Sequence, residues 1–177
     1  MAVFQSIMEL FAPTGTRPAT KVVPAPPTTY SVRPLTSDSL RELLRLNLRC
    51  FTNGENYTKH TFNYLLNDPQ TISYKIVTDS GKMSGYIFAI GNAEGVAHIT
   101  TFGVAPEHRR RGLAAMLLGH LENRLRDKGY STVVLEVRVS NLAAQSLYRK
   151  AGYTCVQRLA RYYSNGEDGF MMTRSLV

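Results

Sequence analysis

The stretch Val104-Ala105-Pro106-Glu107-His108-Arg109-Arg110-Arg111-Gly112-Leu113-Ala114 decides how this chain is read. Val104 ends an apolar run, and Pro106 stops strand pairing because it has no backbone N–H. Leucines at 113, 117, 121 and 125 then recur every fourth residue, which predicts a long amphipathic helix over 107–128, stopped by Gly129. A helix start offers free N–H groups and a partial positive charge, and both favour a phosphate. Gly112 and Ala114 are small, so phosphate oxygens can approach the backbone. Arg109, Arg110 and Arg111 add attraction and side-chain contacts. A strand, a basic turn and a helix in this order predict a phosphate cradle.

Upstream, 73–78 and 82–90 read as strands joined by the turn Asp79-Ser80-Gly81, and 96–104 as a third. A first strand is expected at 30–35. Ser37 or Asp38 then caps a helix whose Leu40, Leu43, Leu44 and Leu48 share a face. A polar loop over 52–56 and a short helix over 58–66 follow, closed by Asn67-Asp68-Pro69. Downstream, 132–139 is a β-branched, buried strand, and 141–151 a helix closed by Gly152. The last strands are 153–163 and 170–175, around Asn165-Gly166. The order is strand, two helices, three antiparallel strands, helix, strand, helix, two strands. It predicts an α+β fold with a mixed, mostly antiparallel central sheet flanked by helices.

The 177 residues suit one domain, expected over 30–177, behind a Pro- and Thr-rich tail over 1–29. Residues 3–11 could form one or two amphipathic turns within that tail. No basic n-region or long apolar stretch marks a secretory signal. An organellar transit peptide is an alternative reading, since Glu9 is the only acid there, beside Arg17 and Lys21. Apolar residues are 44% and charged residues 19%, a globular rather than a disordered balance. No apolar run reaches about 18 residues, so no membrane-spanning helix is expected. Cys50 and Cys155 alone exclude a disulfide scaffold and a four-cysteine zinc site, and they suit a reducing, cytoplasmic setting. His60, His98, His108 and His120 have no cysteine or carboxylate at ligand spacing, so no metal is expected. A net charge of +8 suits a polyanion or a phosphate-rich cofactor, or else a well-solvated surface. No aromatic–basic motif marks nucleic acid as the partner.

Arg109-x-x-Gly112-x-Ala114 behind a Val-x-Pro strand end resembles the acetyl-CoA pyrophosphate loop of the GNAT superfamily of N-acetyltransferases. The resemblance runs from Tyr30 to the C-terminus. It rests further on Gly54-Glu55-Asn56-Tyr57, on His98-Ile99-Thr100-Thr101-Phe102-Gly103-Val104, on Leu135-Glu136-Val137-Arg138-Val139-Ser140-Asn141 and on Arg161-Tyr162-Tyr163-Ser164-Asn165-Gly166-Glu167-Asp168. It is strongest to the branch acetylating protein N-termini, which contains the ribosomal-protein alanine (RimI type) and Ard-type enzymes. The resemblance implies a GNAT fold with two strands splayed at the acetyl-CoA site. Phe102, Gly103 and Val104 would pair with the pantetheine amides. Arg109, Arg110, Arg111, Gly112, Leu113, Ala114 and Ala115 would hold the diphosphate. Asn141 would bond the pantetheine arm, or simply N-cap its helix.

By the same resemblance Glu136 is the general base, directly or through a water, and Tyr148 the general acid. His98 helps hold that water in the Ard type. Glu55, Tyr57, Tyr162 and Tyr163 match the loops that grip the peptide. Each residue also has a structural alternative. Glu136, a carboxylate in an apolar strand, could pair with Arg138 on the same face. His98 could be a half-buried strand histidine, and Tyr148 a core aromatic beside Leu147. The four gripping residues could be ordinary loop and packing side chains. Acetyl transfer needs a deprotonated amine, a polarised carbonyl and a protonated leaving thiolate. An α-amino group, with a reference pKa of about 8 against about 10.4 for lysine, is the easier amine to neutralise.

The expected activity is therefore acetyl-CoA-dependent Nα-acetylation of a protein or peptide N-terminus beginning with Ala, Ser or Met. A ribosomal protein is one candidate acceptor, and the enzyme a monomer or homodimer. A lysine side chain, a polyamine or an aminoglycoside is the alternative acceptor. A non-catalytic module binding RNA or a ribosome surface is the alternative from another class.

Overall fold

The computed structural model describes residues 22–51 and 56–177. The amphipathic turns expected within 3–11, the first part of the Pro- and Thr-rich tail, and Glu55 lie outside the described residues. Residues 22–29 run without regular structure into β1 (Tyr30–Pro34). A 3-10 turn then leads to α1 (Leu40–Cys50), α2 (Lys59–Asn67), β2 (Thr71–Thr78), β3 (Met83–Gly91) and β4 (Val96–Val104). After the basic turn come α3 (Leu113–Asp127), β5 (Thr132–Arg138), α4 (Leu142–Lys150), β6 (Thr154–Leu159) and β7 (Gly169–Ser175). The strands form one seven-stranded sheet in the order β1-β2-β3-β4-β5-β7-β6. Its pairs are antiparallel except β4 with β5. This is the α+β sheet with flanking helices that the pattern predicts.

Each face of the sheet carries its own core. Leu113, Leu117, Leu121 and Leu125 of α3 pack on Ile76, Ile87, Ala97 and Val133, and Tyr148 of α4 joins them. On the opposite face Leu43 and Leu46 of α1 and Phe62 of α2 cover Tyr86 and Phe88. β3 is therefore buried on both sides, as a central strand must be.

Two boundaries differ from the sequence expectation. The helix predicted over 107–128 starts only at Leu113. Pro106 opens a 3-10 turn, Arg109 is extended, and Arg110 (φ 63°) and Gly112 (φ 77°) are left-handed, which no helix tolerates. The strand predicted over 153–163 ends at Leu159. Asp168 accepts from the Arg161 N–H and from the Arg158 guanidinium, and this turns the chain away. Tyr162 and Tyr163 consequently sit in a loop rather than on a strand.

A register shift in the β3–β4 pairing falls between Phe88–Thr101 and Ala89–Ile99, leaving Thr100 as a bulge. Before it, Ala97 and Ile99 face the α3 side. After it, Phe102 and Val104 do, while Gly103 turns towards α1. A Cβ on Gly103 would lie 3.0 Å from both Cys50 Sγ and the Tyr86 ring, so only glycine lets α1 approach β4 this closely.

Asn47 is buried in α1, accepts from the Tyr86 hydroxyl at 2.9 Å, and donates to Asn56 Oδ1 (3.3 Å) and the Tyr57 carbonyl (3.4 Å). Asn47→Ala strips the buried Tyr86 hydroxyl of this acceptor, so urea unfolding should show a loss of about 2–3 kcal/mol. Adding Tyr86→Phe should recover part of that loss, because the stranded hydroxyl is then gone.

In the last turn of α1, Arg49 pairs with Glu107, and Lys82 lies 3.9 Å from the same carboxylate. The hydrogen bond from Arg49 holds the Glu107 carboxyl down to about 2, against an ordinary 4.5. A depressed folded-state value means the pair stabilises fully above the unfolded value and loses that contribution as pH falls from 4.5 towards about 2. The unfolding free-energy gap between wild type and Arg49→Gln should be constant above about pH 5 and close below it, with solvent screening limiting it to about 1 kcal/mol.

Candidate active site

β4 and β5 pair only from Val96–Thr132 to Ile99–Leu135. Beyond those pairs β4 stays with β3 and β5 stays with β7, so the two strands diverge. A cleft of about 1310 Å³ fills the gap. One wall is Phe102, Gly103 and Val104 with the turn that starts α3. The other is Glu136, Val137 and Arg138 with Asn141, Ala144 and Tyr148 of α4 and its cap. Tyr57 flanks one side of the opening, and Tyr162 and Tyr163 the other.

The alternation of β5 decides which groups meet. Val133, Leu135 and Val137 are buried in the α3–α4 core, so Glu136 points to the opposite face. His98 alternates with Ala97 and Ile99 in the same way and shares that face. His98 Nε2 and Glu136 Oε2 are 2.6 Å apart, and each side chain is only 12% exposed. Arg138, the alternative partner for Glu136, instead bonds Glu167 at 2.5 Å and lies 3.9 Å over the Tyr163 ring. Glu167 also accepts from the Ser140 N–H, and these hydrogen bonds pull its carboxyl down to about 2. Arg138 and Glu167 thereby fasten the β6–β7 loop, and Tyr163 with it, to the end of β5.

Tyr148 reaches the cleft from the other face of the sheet, packed 5.6 Å from Tyr153. Burial pushes its hydroxyl well above the ordinary tyrosine value, so it keeps its proton at neutral pH. The His98–Glu136 pair and Tyr148 thus line the same cleft.

At the turn, Arg110 and Gly112 are both left-handed, a backbone of the kind found in anion-binding nests. Nothing lies within 4 Å of where a Cβ on Gly112 would be, so the space above it is open. Arg109, Arg110, Gly112, Leu113, Ala114 and Ala115 all line the cleft. Arg109 Nε also donates to the Val104 carbonyl at 3.1 Å. Arg111 does not line the cleft. Its guanidinium is turned outward onto the Ala25 and Pro26 carbonyls and the Tyr30 hydroxyl. Asn141 lines the cleft and also caps α4, accepting from the Ala144 N–H at 3.1 Å. Tyr57 donates to the Thr100 carbonyl at 2.9 Å, which ties it to the β4 bulge.

Three features escape sequence reading. Cys50 lines the cleft, and burial pushes its thiol up to about 11. Gln145, buried, donates to the Arg138 and Val139 carbonyls and holds the end of β5. Glu167 anchors Arg138, a partnership that no spacing rule predicts over 29 residues. Among the described residues no helix is long and apolar enough to cross a membrane, and no group of three His, Cys, Asp or Glu gathers to hold a metal.

The chain is 35% identical over 153 residues to the N-alpha-acetyltransferase 20 of Dictyostelium discoideum, covering 82% of this chain and 86% of that one. It is 28% identical over 159 residues to an N-alpha-acetyltransferase of Saccharolobus solfataricus, covering 83% and 93%. Its fold superposes on the ribosomal-protein-S18-alanine N-acetyltransferase of Escherichia coli with a TM-score of 0.77 at 25% identity, covering 84% and 94%. Residues 38–153 match the sequence profile of the Acetyltransferase (GNAT) family. That span contains the basic turn, the splayed strands and the Tyr148 helix together, and on this match the chain belongs to the acetyltransferase (GNAT) family.

Proposed function

We propose that this acetyltransferase transfers acetyl from acetyl-CoA to the N-terminal amine of a protein or peptide beginning with Ala, Ser or Met. The observation that carries the reading is the 2.6 Å His98–Glu136 pair in a cleft that Tyr148 also lines. The N-alpha-acetyltransferase relatives support an N-terminal acceptor. The name of the Escherichia coli neighbour makes a ribosomal protein a candidate for that acceptor. Cys50 and Cys155 are both free thiols, which suits a cytoplasmic setting.

The residues present fit acetyl-CoA. The Arg110–Gly112 nest, open above Gly112, suits the diphosphate, with Arg109 and Arg110 supplying charge. The edge of β4 over Phe102, Gly103 and Val104, left unpaired by β5, suits the pantetheine amides. Acetyl-CoA supplies the thioester carbonyl. Glu136 takes the ammonium proton, and His98, hydrogen-bonded to it, orients the carboxylate. The Tyr148 hydroxyl holds its proton at neutral pH and is the donor for the leaving sulfur. The Cys50 thiol, kept protonated by burial, is a poor nucleophile, which favours direct attack by the amine over an acyl-enzyme. Tyr57, Tyr162 and Tyr163 line the cleft and are the proposed grip on the peptide terminus, with Glu55 the proposed contact for its first residue.

Peptides with a free Ala or Ser terminus should release CoA from acetyl-CoA, and mass spectrometry should place the acetyl group on the α-amine. Turnover of an N-acetylated, lysine-containing peptide at a comparable rate would replace this acceptor by a lysine side chain. Glu136→Gln combined with Tyr148→Phe should lower kcat by about 10³-fold or more, since each general acid or base contributes about 10²–10⁴-fold and the pair is not strictly additive. Wild-type turnover by that double variant would dismiss both assignments. His98→Ala should cost less, about 10-fold, if it orients Glu136 rather than reacting.

A further inference from the structure

Arg111, the middle residue of the basic turn, points away from the cleft, yet its side chain is among the most fully bonded arginines described. One guanidinium nitrogen donates to the Pro26 carbonyl (2.9 Å) and the Tyr30 hydroxyl (2.8 Å), and the other to the Ala25 carbonyl. The same stretch returns a backbone bond, from the Ala25 N–H to the Glu107 carbonyl at 2.9 Å. Tyr30 also bonds His108 Nδ1 at 2.8 Å, with the two rings edge to face 5.7 Å apart, and His108 is only 4% exposed. Residues 25–30 thus grip the turn at Glu107, His108 and Arg111, all from its outer side.

The turn needs such a grip. Arg110 is a non-glycine residue at φ 63°, followed two residues on by Gly112 at φ 77°. A left-handed non-glycine residue costs roughly 1–2 kcal/mol and persists only where the surroundings over-determine it. The residues on either side of Arg111 are the left-handed ones, so fixing its side chain fixes the peptide planes between them. Arg110 and Gly112 both line the cleft.

We propose that residues 25–30 are a strap that positions the diphosphate-binding turn, with Arg111 as the positioning residue and Tyr30 as its hinge. The inference rests on the reading of this turn as the acetyl-CoA diphosphate cradle. It assigns a task to the end of the Pro- and Thr-rich segment, and it separates Arg111 from Arg109 and Arg110. The latter two face the ligand, and Arg111 faces the strap.

The test uses full-length protein titrated calorimetrically with CoA, with amide hydrogen exchange followed in parallel. Arg111→Lys keeps the charge and loses the fork that spans three acceptors. It should weaken CoA about tenfold, equivalent to about 1.4 kcal/mol. Tyr30→Phe removes no charge and should weaken CoA about threefold, by loss of the hydroxyl's bonds to Arg111 and His108. In both variants exchange should quicken across 109–114, while β5 keeps its protection and the KM for the peptide stays within about twofold. Gly112→Val tests the cradle itself. If CoA affinity falls in Gly112→Val but is unchanged in Arg111→Lys and Tyr30→Phe, the strap is overturned and the cradle stands. If it is unchanged in all three, the cradle is overturned and the strap with it.

Discussion

Four residue pairs join β4 to β5, from Val96–Thr132 to Ile99–Leu135, and the rest of the site exists because the pairing stops there. A parallel pair abandoned mid-strand leaves backbone groups without partners, which a buried sheet does not tolerate unless something else satisfies them. Each strand here keeps its other neighbour: β4 pairs with β3 as far as Val104, and β5 with β7 as far as Arg138. Only the inner edges are released. The Tyr57 hydroxyl satisfies the Thr100 carbonyl at the bulge, and Gln145 satisfies the carbonyls of Arg138 and Val139 at the end of β5. The gap is therefore held open from both sides by named hydrogen bonds.

The gap also places its chemistry on two faces of one sheet. Strand alternation puts His98 and Glu136 on the α1–α2 side, while Tyr148 belongs to the α3–α4 side. In a continuous sheet these groups would be separated by backbone. The divergence lets side chains from both faces of the sheet line one cleft. Arg138 shares a face with Glu136 but is committed to Glu167 and the Tyr163 ring. The carboxylate consequently has His98 as its partner instead of a permanent cation.

Charge follows the same division of labour. The net charge of +8 does not by itself name a partner. Arg109 and Arg110 line the cleft, whereas Arg49 is held by Glu107, Arg158 by Asp168 and Arg174 by Glu122. Two of the three arginines of the turn therefore line the cleft, beside the left-handed Gly112.

Much of this protein was legible in its residues. Leucines every fourth position mark α3, the β-branched run marks β5, and Asn141 and Gly152 bracket α4, because burial of one face leaves a period that composition cannot hide. The order of elements, the basic turn and the carboxylate in an apolar strand follow from the same local rules. The sequence does not show that α3 begins at Leu113 rather than six residues earlier. Local propensity favours continuing the helix, whereas Arg110 is left-handed and Arg111 beside it is bonded to Ala25, Pro26 and Tyr30. Nor does it show that Glu136 chooses His98, 38 positions away, over Arg138, two positions away. That choice depends on the parallel register of β4 on β5, and register is set by how both strands bury their opposite faces. Periodicity along a chain records which side of each element is covered. Which distant side chain waits on the other side is settled only when the sheet has closed around its two cores.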